Sequence, residues 1–187
     1  TFRAELIKFL FSYFIHSFLI FPNFIKLEQN EVRKDAERAV AAVEREIYHL
    51  DKFTTDWAYW DDAYLFIKDK NNEFIDSNLS AISVFSENNL NLICFIDLNG
   101  NVVWGKTFDL EGDTGLQPLH NDSVFNTRPL IHGREARKSN SGLLVTKYGV
   151  FFICSAPILK SDLEGPANGT LIMGRIINEN VVRTLSE

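Results

Sequence analysis

The feature that most constrains the fold is residues 23–70, a long stretch that contains neither glycine nor proline. Within this stretch, apolar and small residues recur at alternating spacings of four and three, which is typical of one buried stripe on an α-helix. The positions of this stripe are Ala36, Val40, Val43, Ile47, Leu50, Thr54 and Trp57. Charged residues such as Glu44, Arg45 and Glu46 occupy the outer positions and are expected to face solvent. The pattern predicts a helix longer than one small domain, so part of it projects away or pairs with a second chain.

Residues 6–21 form a run that is apolar nearly all round, interrupted by Lys8, Ser12, His16 and Ser17. A full bilayer span takes about 20 apolar residues, and this run is shorter and contains a lysine. Three interpretations stay open: the end of a membrane helix, a dimerisation helix or a core helix. We favour a membrane helix or a dimerisation helix over a core helix. We therefore treat residues 1–22 as a separate apolar segment and residues 23–187 as a single domain.

The second half of the sequence changes to the period-two alternation of β-strands. Asn99 and Gly100 stand between two strand-like runs, and this dipeptide is the strongest short-range signal for a β-hairpin. A second hairpin is expected to turn at Gly149, and a last strand over 170–177 precedes a helix that starts near Asn178. The sequence also predicts a short helix over 78–85 and a polar, irregular stretch over 110–141. Helices followed by about five antiparallel strands indicate the α+β class.

Charge and motif content exclude several function classes. Lysine and arginine number 19 against 25 aspartates and glutamates, and the formal net charge of −6 opposes binding to nucleic acid. The four histidines lack metal-ligand spacing, and the chain has no glycine-rich phosphate loop and no nucleophile elbow. We therefore expect no bound metal, no cofactor and no enzyme activity. The two cysteines, Cys94 and Cys154, lie in predicted strands and are expected to be buried free thiols.

The sequence DWAYWDDAYLF, at the end of the long helix, combines aromatic and acidic residues. On an unbroken helix Trp57, Asp61 and Tyr64 share the buried stripe, while Trp60 lies four residues before Tyr64 and can stack on it. Asp61 and Asp62 point about 100° apart, so they cannot converge on one substrate atom as paired catalytic carboxylates do. Three interpretations stay open: a helix end packed by aromatics whose aspartates bond a neighbouring loop, the wall of a ligand pocket, and catalysis.

These residues resemble the start of the CHASE4 family of extracytoplasmic sensor domains. The matching positions in the helical half are Phe24, Leu27, Glu28, Asp35, Arg38, Ala39, Asp56, Trp57, Ala58, Trp60, Asp61, Asp62 and Tyr64. In the other half, NGNVVWGK, SAPIL and GPANGTLIMGR follow in the expected order, the last of them ending in Gly174 and Arg175. The resemblance covers about residues 24–187.

The resemblance implies a PAS-like fold, in which a long N-terminal helix packs on a five-stranded antiparallel sheet. It also implies an input domain that senses an unknown small-molecule ligand on the periplasmic or extracellular side of the cell membrane. Such domains lie between two transmembrane helices of bacterial or archaeal receptors, whose cytoplasmic part is a histidine kinase or a diguanylate cyclase or phosphodiesterase. The long apolar stripe adds an expectation of our own, a homodimer formed through residues 24–50.

Two other functions stay open at this point. The first is a ligand-free dimerisation or protein-interaction module of the same receptor type, in which the aromatic motif is purely structural. The second is a hydrolase, which requires that a carboxylate from residues 110–141 face Asp61.

Arg175 interrupts the last apolar strand, where it shares a face with Leu171 and Met173. It either points to solvent or is an inward cation that needs an anion, and Gly174 beside it would allow another backbone to approach closely. We hypothesise that a carboxylate of the Trp-Asp-Asp motif, or an acidic ligand, holds Arg175 in bidentate geometry. The candidate ligand-binding residues are Trp57, Trp60, Asp61, Asp62, Tyr64 and Arg175.

Overall fold

The computed structural model describes residues 2–110, 112 and 130–186. Most of the predicted irregular stretch 110–141 therefore lies outside the described residues. The chain divides into two compact units, residues 1–43 and residues 44–187. Helix α2, which covers Phe21–Ala58, contributes to both units.

The first unit is helical throughout its described residues. Helix α1 covers Phe2–Ile15, a π-helical turn covers His16–Ile20, and α2 follows directly. The widened turn has a local cause, because Pro22 has no N–H to donate and its ring clashes with the carbonyl four residues earlier. The N–H of Phe21 accordingly donates to the carbonyl of His16, five residues back.

Most of the described large apolar side chains over residues 6–21 are exposed. Phe9 is 69% and Phe18 is 65% exposed, and no part of the most apolar window is buried. The core-helix interpretation of residues 6–21 is therefore wrong. One helix among the described residues, Glu5–Ala58, is long and apolar enough to cross a membrane, judged by length and composition.

In the second unit the long helix ends earlier than the sequence predicted. Trp60 is extended, with φ −83° and ψ 137°, and a new helix, α3, covers Asp61–Asp69. The N–H of Leu159, which follows a strand of the sheet, donates to the carbonyl of Ala58 at 3.1 Å. This tertiary bond caps the helix end, and the acidic pair Asp61 and Asp62 suits the first turn of the next helix. The predicted unbroken helix over 23–70 is wrong at this point.

Short helices lead from α3 to the sheet. Helix α4 covers Asn72–Phe74, a π-helical turn covers Ile75–Leu79, and α5 covers Ser83–Ser86. The predicted short helix over 78–85 thus appears as two separate turns.

The five strands are, in chain order, β1 (Leu92–Asp97), β2 (Val102–Thr107), β3 (Asn140–Thr146), β4 (Gly149–Pro157) and β5 (Gly169–Ile176), and a final helix, α6, covers Glu179–Ser186. The strands form one antiparallel sheet in the order β2-β1-β5-β4-β3. Both predicted turns have the backbone that glycine permits, with φ of 85° at Gly100 and 120° at Gly149. The predicted α+β class, with a long helix and a five-stranded antiparallel sheet, is confirmed.

The two faces of the sheet bury different side chains. On the helix face, Phe95 of β1 packs edge-on against Phe66 of α3 and Phe74 of α4, with ring centroids 5.3 Å and 5.9 Å away. The opposite face carries a mostly aliphatic cluster that includes Ile172 of β5 and Leu130. These aromatic and aliphatic layers supply most of the hydrophobic stabilisation of the second unit.

The two cysteines are buried free thiols, as predicted. Cys94 pairs with Ile172 and Cys154 with Met173, neighbours in β5 whose side chains leave opposite faces, so the two thiols lie on opposite sides of the sheet. Burial raises the pKa of Cys94 to about 12, which keeps its thiol protonated and unreactive.

The close backbone approach expected at Gly174 is found at another glycine. A Cβ on Gly174 would meet the side chains of Ile153 and Phe151 at 3.0 Å and 3.3 Å. A Cβ on Gly169, by contrast, would collide with the carbonyl oxygen of Ile96. Gly174 therefore makes room for core side chains, and Gly169 makes room for the backbone of β1.

Candidate functional site

The two tryptophans of the aromatic–acidic segment stack on each other. The ring centroids of Trp57 and Trp60 are 5.0 Å apart with an interplanar angle of 20°, and Phe53 lies 5.8 Å from Trp57. Both tryptophans are half-buried. The predicted stack of Trp60 on Tyr64 is replaced by this one, because the extended backbone at Trp60 turns its ring back along α2.

Asp61 lies outside the core. Its Oδ1 accepts from the N–H of Ser161 at 3.0 Å and its Oδ2 from the hydroxyl of Ser161 at 3.0 Å. These two hydrogen bonds, the backbone one first, hold the pKa of Asp61 below its usual value. The expectation that Asp61 sits on the buried stripe is wrong, and the interpretation in which an aspartate bonds a neighbouring loop is the one that the structure supports.

Asp62 is also exposed and does not line a cleft with Arg175. It lines a shallow polar cleft with Asp69 and Glu73, among others. No group of three or more His, Cys, Asp or Glu side chains among the described residues could hold a metal ion.

Tyr64 is buried and packs α3 against the connection between β4 and β5. Its backbone carbonyl accepts from Nδ2 of Asn168 at 2.7 Å, and its hydroxyl donates to the carbonyl of Pro166 at 3.4 Å. The ammonium groups of Lys68 and Lys160 lie 5.5 Å and 5.8 Å from the centre of its ring. These contacts give Tyr64 a structural role in the described part of the chain.

Arg175 points inward and forms an ion pair. Its Nη1 donates to Oε2 of Glu46 at 2.9 Å, and the two side chains are 22% and 26% exposed. Of the two expected orientations of Arg175, the inward one is therefore the one found, whereas the hypothesis that a carboxylate of the Trp-Asp-Asp motif holds it in bidentate geometry is wrong. Glu46 was expected among the solvated residues of α2, and the pairing is monodentate.

A cleft of about 270 Å³ opens beside this ion pair, between α2 and strand β5, and is called here the α2–β5 cleft. It is lined by Glu46, His49, Leu50, Phe53, Asn88, Leu90, Phe152 and Arg175. Of the six predicted candidates, Arg175 alone lines it. Helical periodicity could have indicated the four lining residues that belong to α2, because residues 46, 49, 50 and 53 share one helical face.

A second polar cluster lies within the core on the opposite face of the sheet. Nε2 of His132 donates to the carbonyl of Ser155 at 3.0 Å, and its backbone N–H donates to Oγ1 of Thr170 at 2.8 Å. A carbonyl can only accept, so Nε2 carries the hydrogen. Burial lowers the pKa of His132, against the opposing effect of the bond to Ser155. The sequence held no local signal for this cluster.

A third polar cluster ties α2 to the sheet. Oδ1 of Asp51 accepts from the hydroxyl of Ser139 at 2.5 Å and from Sγ of Cys154 at 3.4 Å. Burial and the Asp51 carboxylate raise the pKa of Tyr59 nearby. These bonds fix the rotation of α2 and thereby turn Glu46, five residues earlier, towards β5.

A family model described as the CHASE4 domain matches residues 42–187. The chain belongs to the CHASE4 domain family. This is a family of sensor input domains, which are not the catalytic part of the proteins that contain them. The CHASE4 match includes the whole α2–β5 cleft and omits α1.

One curated relative of this CHASE4 chain is the methanogenesis regulatory histidine kinase FilI of Methanothrix harundinacea (strain 6Ac). The two are 25% identical over 150 residues, which are 80% of this chain and 17% of the relative. The chain thus spans about a sixth of the length of FilI.

A solved structure with a similar fold is the sensor domain of the histidine kinase DctB from V. cholerae. It matches 90% of this chain and 61% of its own with a TM-score of 0.57 and 13% sequence identity. At that identity the likeness concerns the fold alone, and it confirms the PAS-like architecture expected from the sequence.

Proposed function

We propose that this CHASE4 domain is the extracytoplasmic, ligand-sensing input domain of a membrane-bound receptor such as a histidine kinase or a diguanylate cyclase or phosphodiesterase. The observation that carries the proposal is the Glu46–Arg175 ion pair at the α2–β5 cleft. Glu46 belongs to the helix that continues from the apolar N-terminal segment, and Arg175 belongs to the strand that leads into α6.

A ligand in this cleft would contact the long first helix of the sensor domain and its last strand at once. A molecule that binds better to one spacing of α2 and β5 than to another shifts the population towards that spacing. The chain enters the domain through α2, and β5 leads into the final helix α6, so this shift can pass along the chain towards the membrane. The name of the relative FilI, a regulatory histidine kinase, supports an output of this kind.

The extracytoplasmic location is proposed from the family and from the apolar helix near the N-terminus. An alkaline phosphatase reporter inserted in the exposed loop at Glu164 tests it, because that enzyme becomes active only outside the cytoplasm. A high phosphatase activity supports the proposed location, and activity no higher than that of a cytoplasmic fusion contradicts it.

Ligand sensing is tested by a thermal-shift screen of the whole chain, in detergent, against amino acids, organic acids and other metabolites. A ligand at 100 times its dissociation constant is expected to stabilise the folded state by about 2.7 kcal/mol. The proposal loses its support if no compound raises the melting temperature.

A second candidate function is a ligand-free dimerisation or protein-interaction module. It is favoured by the apolar side chains that α2 leaves exposed in the first unit, namely Phe24, Leu27, Val32 and Val40. In this version a homodimer forms through residues 24–50, and the domain reports changes in that association. A screen without any stabilising compound, together with a stable dimer, would favour this second function.

A further inference from the structure

We infer that the α2–β5 cleft binds a small zwitterion with an apolar substituent, of the class of α-amino acids with uncharged side chains. The inference rests on the proposed sensor function and names the ligand class of that site. Three properties of the cleft carry it: the balance of its charges, the hydrogen-bond donors left on Arg175, and the apolar character of its floor.

The fixed charges of the cleft cancel. Glu46 supplies one carboxylate and Arg175 one guanidinium, and no other Asp, Glu, Lys or Arg side chain is among its lining residues. A ligand with a single negative charge would meet Glu46, and a ligand with a single positive charge would meet Arg175. A zwitterion offers its carboxylate to Arg175 and its ammonium group to Glu46, so each charge gains a partner.

Arg175 has capacity for such a ligand. A guanidinium carries five N–H donors, and Arg175 uses Nη1 to bond Glu46. The guanidinium group has no other acceptor in the part of the chain that the structure describes. Its Nε and Nη2 are therefore available to a ligand carboxylate. The second oxygen of Glu46 is likewise available to an ammonium group.

The remaining walls of the cleft suit an apolar substituent of modest size. Leu50, Leu90 and Phe152 are buried side chains at its floor, and Phe53 is half-buried beside them. A volume of about 270 Å³ corresponds to about nine water molecules, which is room for a ligand of about ten non-hydrogen atoms. Branched aliphatic amino acids and phenylalanine fall near this size.

The experiment compares four probes on the whole chain in detergent, with binding measured by calorimetry. The probes are L-leucine, 4-methylpentanoate, which lacks the ammonium group, and 3-methylbutylamine, which lacks the carboxylate, with L-phenylalanine as a second zwitterion. We expect at least one of the two amino acids to bind and to raise the melting temperature. We also expect the single-charge analogues of leucine to bind at least about tenfold more weakly than leucine, since each loses one charge-assisted bond. Failure of both amino acids to bind, or analogues as tight as leucine, would overturn the inference.

Variants locate the site. Arg175→Met and Glu46→Gln should each weaken binding of the amino acid by about tenfold to a hundredfold. Glu44→Gln, at an exposed position of the same helix, is the matched control and should bind as the unchanged chain does. A screening compound that stabilises the unchanged chain and Arg175→Met equally would leave the sensor function standing and overturn this site.

A measurement on the unchanged chain avoids any folding defect of the variants. The methyl NMR signals of Leu50 and Leu90, which line the cleft, should shift when the amino acid is added. The methyl signals of Leu79 and Leu159, buried elsewhere in the core, should stay in place. Binding without a shift of the Leu50 and Leu90 signals would also overturn the inference.

Discussion

Glu46 and Arg175, 129 residues apart in the chain, form an ion pair of 2.9 Å between helix α2 and strand β5. Both side chains are about three-quarters buried, so each has lost most of its contact with water. A pair in this position stabilises the fold little by itself, whereas loss of one partner strands the other charge in a poorly solvated place. The pair is therefore a sensitive point for mutation.

Arg175→Met should lower the free energy of unfolding by about 1–3 kcal/mol, because Glu46 then keeps its charge without a partner. Arg45→Met, at an exposed position of the same helix, is the control and should change it by less than about 0.5 kcal/mol. Urea denaturation measures both values. A change for Arg175→Met as small as that of the control would mean that the ion pair does not persist in solution.

The aromatic side chains should differ sharply in their contribution to stability. Phe66 is fully buried between Phe74 and Phe95, so Phe66→Ala should cost about 3–5 kcal/mol. Trp60 is half-buried and stacks on Trp57, so Trp60→Ala should cost about 1–2 kcal/mol, mostly the stacking contact. Equal losses in the two variants, measured by thermal or urea melts, would contradict this description of Trp60.

The buried imidazole of His132 should make the fold sensitive to mild acid. Its folded pKa lies below the usual 6.5, so the unfolded chain takes up a proton that the folded chain does not. The contribution of His132 to the free energy of unfolding is therefore fully present above about pH 6.5. It is lost as the pH falls from that value through the pKa of His132 in the folded state. Urea melts between about pH 7.5 and pH 5 should show this loss, and His132→Asn should reduce the slope.

A matched control for His132 is available in the same chain. His49→Asn, at an exposed position on the rim of the α2–β5 cleft, is the control for the same histidine-to-asparagine substitution outside the core. A slope that persists in His132→Asn would assign the acid sensitivity to other groups.

The hydrogen bonds of Asp61 can be tested through its titration. Ser161→Ala removes the hydroxyl donor and leaves the backbone N–H of residue 161. The pKa of Asp61 should therefore rise towards its usual value without reaching it, as followed by the ¹³C carboxylate signal in NMR. An unchanged pKa would show that the hydroxyl does not bond Asp61 in solution.

The proposed homodimer can be tested by mutation of Val40, an exposed apolar residue on the helical stripe of α2. Val40→Glu should shift the chain from dimer towards monomer in sedimentation experiments, because it places a charge in a coiled-coil seam. Glu37→Gln, on the charged side of the helix, should leave the association unchanged. A clean monomer of the unchanged chain at high micromolar concentration would contradict the dimer.

Signals carried by neighbouring residues were sufficient to predict most of the architecture. The turns at Gly100 and Gly149 depend on backbone angles that few residues other than glycine adopt. The strands could be predicted from the alternation of apolar and polar side chains. The exposure of the apolar segment over 6–21 was within reach of the same reasoning, since a run that is apolar all round suits no surface helix of a globular domain. The inward direction of Arg175 could also be hypothesised, because an arginine within an apolar strand needs an anion.

Tertiary structure decided which groups meet. The break in the helix after Ala58 depends on a hydrogen bond from Leu159, about a hundred residues later in the chain. The helix propensities of the residues around Ala58 do not predict this break. Once the helix breaks there, Asp61 leaves the buried stripe and bonds Ser161, which leaves Glu46 as the partner of Arg175. Helical periodicity predicts which face of a helix carries a side chain. The partner of a charged side chain depends in addition on the strand register and on the rotation of α2 about its axis. The hydrogen bonds of Asp51 to Ser139 and Cys154 hold that rotation. The sequence therefore determined that a buried cation would need a carboxylate, and only the packing of α2 on the sheet determined which one.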